Sequence, residues 1–217
     1  MSKITITLYG RRGWGSAIAE AQLEWLGLDY TYEAVGDLLK SAKARRLLTR
    51  VNPLAQVPTL VLPNGQLLTE SAAITLYLAE MTGRDDFVPP PGSAERPDFL
   101  RWLIFLVANV YPTYTYADET DRFVPDAAAR DGFRATVDAY AQRLYGILEA
   151  TARTPWFLGE RFSAPDIYVT VMTRWRPGRQ WLAENAPQLH SIATRADAIP
   201  QLQAVWSRNF RRGSLTH

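Results

Sequence analysis

The spacing of hydrophobic and polar positions changes repeatedly between a period of two and a period near 3.6 in the first 82 residues. Alternating segments predict strands at Ile4–Tyr9, Tyr30–Ala34, Val57–Leu62 and Gln66–Thr69. Helical spacing predicts a helix that opens at Ser16 and two more at Asp37–Val51 and Glu70–Met81. A crossover helix makes the first two strands parallel. This order predicts a small mixed sheet with helices on both faces, which is a thioredoxin-like α/β domain.

Beyond residue 97 the chain has helical spacing and no convincing strand. The predicted helices cover Pro97–Ala117, Pro125–Thr151, Ala164–Trp175 and Pro187–Phe210. Prolines concentrate just before them and indicate a linker. The sequence therefore predicts a thioredoxin-like domain at residues 1–83, a linker at 84–96 and an all-α domain at 97–217. Within the second domain, Ser163 and Asp166 have the spacing of a capping box at a helix start.

Composition excludes several classes of function. The chain has no cysteine and two histidines, which excludes disulfides, thiolate zinc sites and a cysteine nucleophile and leaves a histidine-based metal site poorly supplied. A net charge of +2 gives no electrostatic support for a nucleic-acid partner. No apolar run has the length of a membrane span, so no membrane association and a cytoplasmic location are expected.

Pro58 is the most unusual residue of the predicted strands. It lies between Val57 and the strand-forming run that follows, where its missing N–H should remove a ladder hydrogen bond. A trans proline at a strand start is one explanation. The other is that the backbone beside Pro58 faces a ligand and not a neighbouring strand.

Three motifs together give the chain a recognisable pattern. The first is Asn52-Pro53-x-x-x-Val57-Pro58-x-Leu60, the second is Glu70-Ser71-x-x-Ile74-x-x-Tyr77-Leu78, and the third is the Ser163-x-x-Asp166 box. In this order and at these separations they resemble the cytosolic glutathione transferases, in a bacterial-type member, over the whole chain. The resemblance implies a thioredoxin-like domain, a short linker and an all-α domain. It also implies a symmetric homodimer.

The resemblance also implies a glutathione site in the first domain. A cis Pro58 would expose the backbone of Val57 to the cysteine backbone of glutathione. A cis X–Pro bond costs only about 0.5–1 kcal/mol, so ligand contacts or packing can favour it.

Further residues match positions that bind the two ends of glutathione in that family. Ser71 at a helix start would bind the γ-glutamyl carboxylate, and Glu70 would hold the ammonium group. Gln56, Lys43 and Lys40 match positions that contact the glycine end. Read locally, Ser71 could be a simple helix cap and the lysines solvated.

The donor that stabilises the glutathione thiolate is left open by the sequence. Positions that hold a serine or cysteine in other family members are occupied by Gly13, Trp14 or Gly15. Ser16 lies one residue further on, and Tyr9 has the separation of the catalytic tyrosine of some animal classes. The third candidate is the backbone N–H groups around Trp14 and Gly15.

The resemblance implies a transferase that conjugates the glutathione thiolate to hydrophobic electrophiles, with glutathione as co-substrate and without a metal or redox cofactor. Trp14, Tyr111, Tyr114 and Trp175 are candidates for the hydrophobic substrate site, although helical aromatic residues are more often core. A glutathione-dependent peroxidase, dehalogenase or isomerase would use the same thiolate. A non-catalytic glutathione-binding protein of the same fold is the alternative from another class.

Overall fold

A computed structural model describes residues 5–210 of the chain. The remaining residues, including Ile4 of the first predicted strand, lie outside the described part. The structure divides into two compact units, and residues 197–210 belong to the first unit together with residues 5–85. Helical spacing had predicted this last segment as part of the all-α domain. Hydrogen bonds from Arg208 and Asn209 to Glu20 join the segment to the first helix.

The first unit contains a four-stranded mixed sheet in the order β2-β1-β3-β4. Its strands are β1 (Ile6–Gly10), β2 (Tyr30–Ala34), β3 (Thr59–Val61) and β4 (Leu67–Leu68). β1 is parallel to β2 and antiparallel to β3, and β3 is antiparallel to β4. The predicted crossover connection between the first two strands is confirmed, and so is the thioredoxin-like sheet.

Among the described residues, four α-helices belong to the first unit. They are α1 (Ser16–Trp25), α2 (Ala42–Leu48), α3 (Ser71–Thr82) and, after the helices of the second unit, α11 (Gln203–Asn209). The predicted helix at residues 37–51 is shorter in the structure because the Asp37 carboxylate accepts hydrogen bonds from the N–H groups of Leu39 and Lys40. These bonds hold a turn, and Ser41 then caps α2.

The second unit is helical, as predicted. Its α-helices are α4 (Arg96–Phe105), α5 (Tyr111–Asp118), α6 (Thr120–Phe123), α7 (Arg130–Thr151), α8 (Ala164–Met172), α9 (Arg179–Asn185) and α10 (Pro187–Asp197). A π-helical turn at Leu106–Val110 joins α4 to α5. The helix predicted over Pro187–Phe210 is two helices, because a 3₁₀ turn begins at Pro200, where a proline cannot continue an α-helix.

The capping box predicted in the second unit is confirmed. The Asp166 carboxylate accepts hydrogen bonds from the N–H groups of Phe157 and Ser163 and from the Ser163 hydroxyl. Burial raises the pKa of Asp166 to about 7, although these three donors act in the opposite direction. Between residues 5 and 210, no helix is both long enough and apolar enough to cross a membrane.

Candidate functional site

Three chain segments meet at one end of the sheet in the first unit. Tyr9 in β1 pairs with Thr59 in β3, and Leu60 in β3 pairs with Leu68 in β4. Because both pairings are antiparallel, the loop after β1, the segment before β3 and the segment after β4 leave the sheet at this end. The sheet topology thus brings together the three segments that the sequence motifs single out.

A side-chain network fixes the segment before β3. The buried Asn52 amide donates to the carbonyl of Gln56 at 3.2 Å and to the hydroxyl of Thr59 at 2.9 Å. Its oxygen accepts the N–H of Leu54 at 3.0 Å. The hydroxyl of Thr59 also donates to the Gln56 carbonyl, at 2.7 Å. Asn52 therefore holds both ends of the loop that leads to Val57.

Val57 presents an unpaired stretch of backbone at the end of this loop. The peptide bond between Val57 and Pro58 is cis, as expected. Within residues 5–210, neither the N–H nor the C=O of Val57 has a hydrogen-bond partner. Val57 is half-buried, and the neighbouring Gln56 side chain is exposed. An extended, peptide-like ligand could pair with these two groups as a strand pairs with a sheet edge.

Glu70 and Ser71 follow β4 at the start of α3. Glu70 has φ 63° and ψ 107°, a conformation that non-glycine residues rarely adopt. Its carbonyl accepts the N–H of Ile74 at 2.9 Å. The N–H groups of Ser71 and Ala72 have no partner among the described residues. A half-buried hydroxyl and two free N–H groups at a helix start form an environment suited to an anion.

A small hydrophobic cluster brings three of the predicted residues together. Leu38, Ala44 and Leu48 form its buried part, and Tyr9, Trp14 and Val57 pack against it. Lys40 and Lys43 are exposed on the same segment, on either side of the residue that caps α2. Both lysines thus lie between Leu38 and Ala44 in the sequence, two residues of the cluster that Val57 contacts.

Ser16 is fully buried, and both functions of its hydroxyl are used inside the protein. The hydroxyl donates to the carbonyl of Arg11 and accepts the N–H of the same residue, each at 2.9 Å. A Cβ at Gly10 would lie 2.8 Å from the Ser16 hydroxyl oxygen, so the strand passes directly over this side chain. This geometry leaves the hydroxyl without a proton for another acceptor.

The backbone at the start of α1 is available instead. Within the described chain, the N–H groups of Gly15 and Ser16 have no hydrogen-bond partner. The carbonyls of Trp14 and Gly15 accept the first N–H groups of the helix, from Ala17 at 2.9 Å and Ile18 at 3.1 Å. The two free N–H groups therefore lie at the positive end of the helix dipole, where they can stabilise a negative charge.

Tyr9 lies on the sheet face opposite its neighbour Leu8, which is buried. Its side chain borders a cavity of about 150 Å³ together with Glu33, Val35 and Leu48. The aromatic ring is thus part of the packing around α2.

The three aromatic residues predicted in the second unit form a cluster of edge-to-face rings. Ring centroids are 5.7 Å apart for Tyr111 and Trp175 and 4.8 Å apart for Tyr114 and Trp175. The Tyr114 hydroxyl bonds to that of Tyr145 and donates to the Met172 carbonyl at 3.2 Å. Burial raises the pKa of Tyr114 well above its usual value. Tyr114 is a core residue, whereas Tyr111 and Trp175 are half-buried.

Sequence analysis missed a polar network behind the loop after β1. Its centre is Glu20, whose side chain is only 1% exposed and which binds Arg12, Arg208 and Asn209. The sequence offers one signal for this network, which is a glutamate in a helix of mostly apolar positions. Because α1 is buried on nearly all sides, a charged residue there requires a partner. Its partners at the other end of the chain could not be identified from spacing.

Comparisons with known proteins agree with this architecture. Residues 19–81 match the family described as "Glutathione S-transferase, N-terminal domain". The chain is 40% identical over 205 residues to the uncharacterized GST-like protein YncG of Escherichia coli (strain K12), covering 94% of this chain and 98% of that protein. It is 32% identical over 165 residues to the disulfide-bond oxidoreductase YfcG of the same organism, covering 71% and 74% of the two chains.

A solved structure is similar over nearly the full length. It is that of a sphingomonad glutathione S-transferase complexed with glutathione, with 26% sequence identity and a TM-score of 0.75. The similarity covers 92% of this chain and 96% of that one. Together with the relative at 40% identity, this establishes that the chain belongs to the glutathione transferase family.

Proposed function

We propose that the protein binds glutathione along Val57 and adds the glutathione thiolate to an electrophilic carbon of a hydrophobic substrate. The observation that carries the proposal is the pair of Val57 backbone groups that have no partner among the described residues. The cysteine backbone of glutathione has the complementary N–H and C=O groups. A related structure with glutathione bound supports the same class of ligand.

The two ends of glutathione each carry a carboxylate and require separate partners. The γ-glutamyl carboxylate would bind the Ser71 hydroxyl and the free N–H groups at the start of α3, and the Glu70 carboxylate would hold the adjacent ammonium. The glycine carboxylate would bind Lys43, with Lys40 and Gln56 beside it. These three side chains are exposed, so their contribution is expected to be smaller and sensitive to salt.

We assign thiolate stabilisation to the backbone N–H groups of Gly15 and Ser16. The Ser16 hydroxyl already donates to Arg11, and the Tyr9 ring packs beside α2. A free thiol with a pKa near 8.5 is only about 3% ionised at pH 7. Lowering its pKa by about two requires roughly 2.7 kcal/mol, which two hydrogen bonds to a charged acceptor can supply.

In the proposed reaction the thiol proton leaves to solvent and the thiolate sulfur attacks the electrophilic carbon. A carbon–sulfur bond forms, and with a chloronitroarene the chloride leaves with the electron pair of the broken bond. Binding both reactants in place and stabilising the thiolate are sufficient for this step. Trp14 is the proposed aromatic contact of the electrophile in the first unit, because it is only half-buried and packs against the same cluster as Val57.

Calorimetry and turnover together test the proposal. We expect heat on titration with glutathione and with S-methylglutathione, which keeps the backbone and both carboxylates but cannot form a thiolate. Turnover of a chloronitroarene is expected with glutathione and not with S-methylglutathione. Absence of binding at millimolar glutathione would refute the proposal. Binding of both compounds without turnover of any of a broad panel of electrophiles would favour a non-catalytic binding protein.

Glutathione-dependent disulfide reduction is the second candidate, because a relative at 32% identity is named a disulfide-bond oxidoreductase. The chain has no cysteine, so the attacking thiolate would be that of glutathione. It would form a mixed disulfide and release one substrate thiol, and a second glutathione would release the other thiol and form glutathione disulfide. Reduction of a small organic disulfide without chloronitroarene turnover would favour this candidate.

The homodimer expected from the family resemblance remains a prediction. Light scattering at several protein concentrations tests it directly.

A further inference from the structure

Asn209, the last residue of α11, is 2% exposed, and every polar atom of its side-chain amide has a partner. Its oxygen accepts the N–H of Gly13 at 3.2 Å. Its nitrogen donates to the Glu20 carboxylate at 2.7 Å and to the Val205 carbonyl at 3.0 Å. Reversing the amide would place its oxygen against two acceptors, so these contacts allow only one orientation.

Glu20 connects this amide to the loop after β1 by a second route. One guanidinium nitrogen of Arg12 lies 2.7 Å from both oxygens of the Glu20 carboxylate. Arg208, the neighbour of Asn209, donates to the same carboxylate at 2.9 Å. The loop is therefore attached to α11 through Gly13 directly and through Arg12 by way of Glu20.

The attachment point lies just before the free N–H groups. Gly13 has φ +77°, a region that residues with a side chain rarely adopt, and it precedes Gly15 by two residues. A hydrogen bond that holds the Gly13 N–H also restricts the backbone that leads into α1. The directions of the Gly15 and Ser16 N–H groups depend on this backbone.

We propose that Asn209 is a positioning residue for thiolate stabilisation: it holds the loop after β1 so that the Gly15 and Ser16 N–H groups point at the glutathione sulfur. The inference rests on the proposed function, in which these groups contact the thiolate. Asn209 itself touches no substrate. It acts through Gly13, with Glu20 as its anchor.

Preorganised donors stabilise a developing charge only while they are held in place. Loss of the Asn209 amide is therefore expected to raise the pKa of the bound thiol by about one. That change lowers the thiolate fraction about tenfold at pH values below the pKa. Backbone pairing at Val57 and the anion contacts at Ser71 do not involve this loop, so KM for glutathione is expected to change much less than kcat.

The test compares three variants with the wild type. Asn209→Ala removes the amide, and Leu202→Ala is the matched control, since Leu202 is buried in the same C-terminal segment but makes none of these contacts. The double variant Asn209→Asp with Glu20→Gln exchanges donor and acceptor between the two side chains and conserves their total charge. The readouts are the ultraviolet absorbance of the bound thiolate against pH, the pH profile of kcat and KM, and thermal unfolding.

We expect a raised thiol pKa and a lower kcat for Asn209→Ala, a lower Tm alone for Leu202→Ala, and partial recovery of the thiol pKa in the exchanged pair. If Asn209→Ala does not fold, Asn209→Ser replaces it, because a serine is too short to reach both Gly13 and Glu20. If wild type and the Asn209 variant ionise bound glutathione equally well, this inference alone is overturned. Wild-type protein that binds no glutathione overturns the proposed function and the inference with it.

Discussion

The hydroxyl of Ser16 and the backbone of Arg11 form a closed pair of hydrogen bonds, one in each direction and each 2.9 Å long. The only hydroxyl proton is directed at a carbonyl, and the side chain is fully buried. A serine in this position fixes the turn after β1. The negative charge of a bound thiolate is then left to the main-chain N–H groups at the start of α1.

Replacing Ser16 with alanine is expected to lower stability and to lower catalysis only modestly. The Arg11 N–H and C=O lose their partner, which costs about 1–3 kcal/mol of the free energy of unfolding. Activity per folded molecule should fall by no more than about tenfold, since Ser16 acts only by holding the turn, and this is well below the 10²-fold or larger effect of removing a direct charge-stabilising donor. Urea unfolding and steady-state kinetics measure the two quantities. Tyr9→Phe is the matched comparison, and a fall of a hundredfold in kcat in either variant at normal stability would contradict the assignment.

The Glu70–Ser71 pair is expected to govern affinity for the γ-glutamyl end of glutathione. Ser71→Ala removes one donor to a carboxylate and should raise the Kd about tenfold, equivalent to about 1.4 kcal/mol. Glu70→Gln removes the charge that faces the ammonium and should raise the Kd by at least as much. Calorimetry measures both. Glu80→Gln, an exposed residue near the far end of the same helix, is the control. Equal affinities in all four proteins would exclude an anion role for the start of α3.

Asn52 is expected to matter for binding although it does not face the ligand. Asn52→Ala removes the hydrogen bonds to the Gln56 carbonyl and to the Thr59 hydroxyl and leaves the Leu54 N–H without its acceptor. We expect a loss of about 2 kcal/mol in stability and a several-fold rise in the Kd for glutathione. Chemical unfolding and calorimetry are the measurements.

Asn64→Ala is the matched control, because Asn64 also accepts a backbone N–H, but in an exposed turn. An unchanged Kd for glutathione in Asn52→Ala would show that binding does not depend on the geometry of the loop before β3.

Local patterns were sufficient for much of the fold. Alternation predicted β1 and β2, and the helix between them required a parallel pairing. The capping box at Asp166 followed from a short motif, and the cis bond at Pro58 was implied by the family resemblance. The strands, the helix between them and the capping box depend on residues that are close in sequence, so their physical causes can be read from a few neighbouring side chains.

Features that depend on distant residues could not be predicted. Glu20 and Asn209 are 189 positions apart, and nothing in the spacing of either segment identifies the other as its partner. The role of the Ser16 hydroxyl depends on the path of the loop before it, in which Gly13 has a positive φ. The segment that starts at Asp37 was predicted as helix from its composition. In the structure the Asp37 side chain accepts backbone N–H groups and forms a turn there, which composition does not indicate.

The buried Asp166 carboxylate is expected to make stability depend on pH near neutrality. Burial raises its pKa to about 7 from 3.8, and hydrogen bonds from Phe157 and Ser163 only partly oppose this. Between these two values the folded protein holds a proton that the unfolded chain has released. By linkage, the free energy of unfolding falls as the pH rises through this window. The contribution of Asp166 is fully present below about pH 4 and is lost above about pH 7.

A comparison of wild type with Asp166→Asn isolates this contribution, because the asparagine does not titrate while all other ionisable groups are retained. The difference in free energy of unfolding, wild type minus variant, should be larger at pH 5 than at pH 8 by more than about 1.4 kcal/mol, the equivalent of one pKa unit. Urea unfolding at the two pH values gives the four free energies required. Asp131→Asn, at an exposed position near the start of α7, should show no such pH-dependent difference. A difference for Asp166→Asn that stays constant or grows with pH would mean that the three donors outweigh burial and keep the carboxylate ionised across this range.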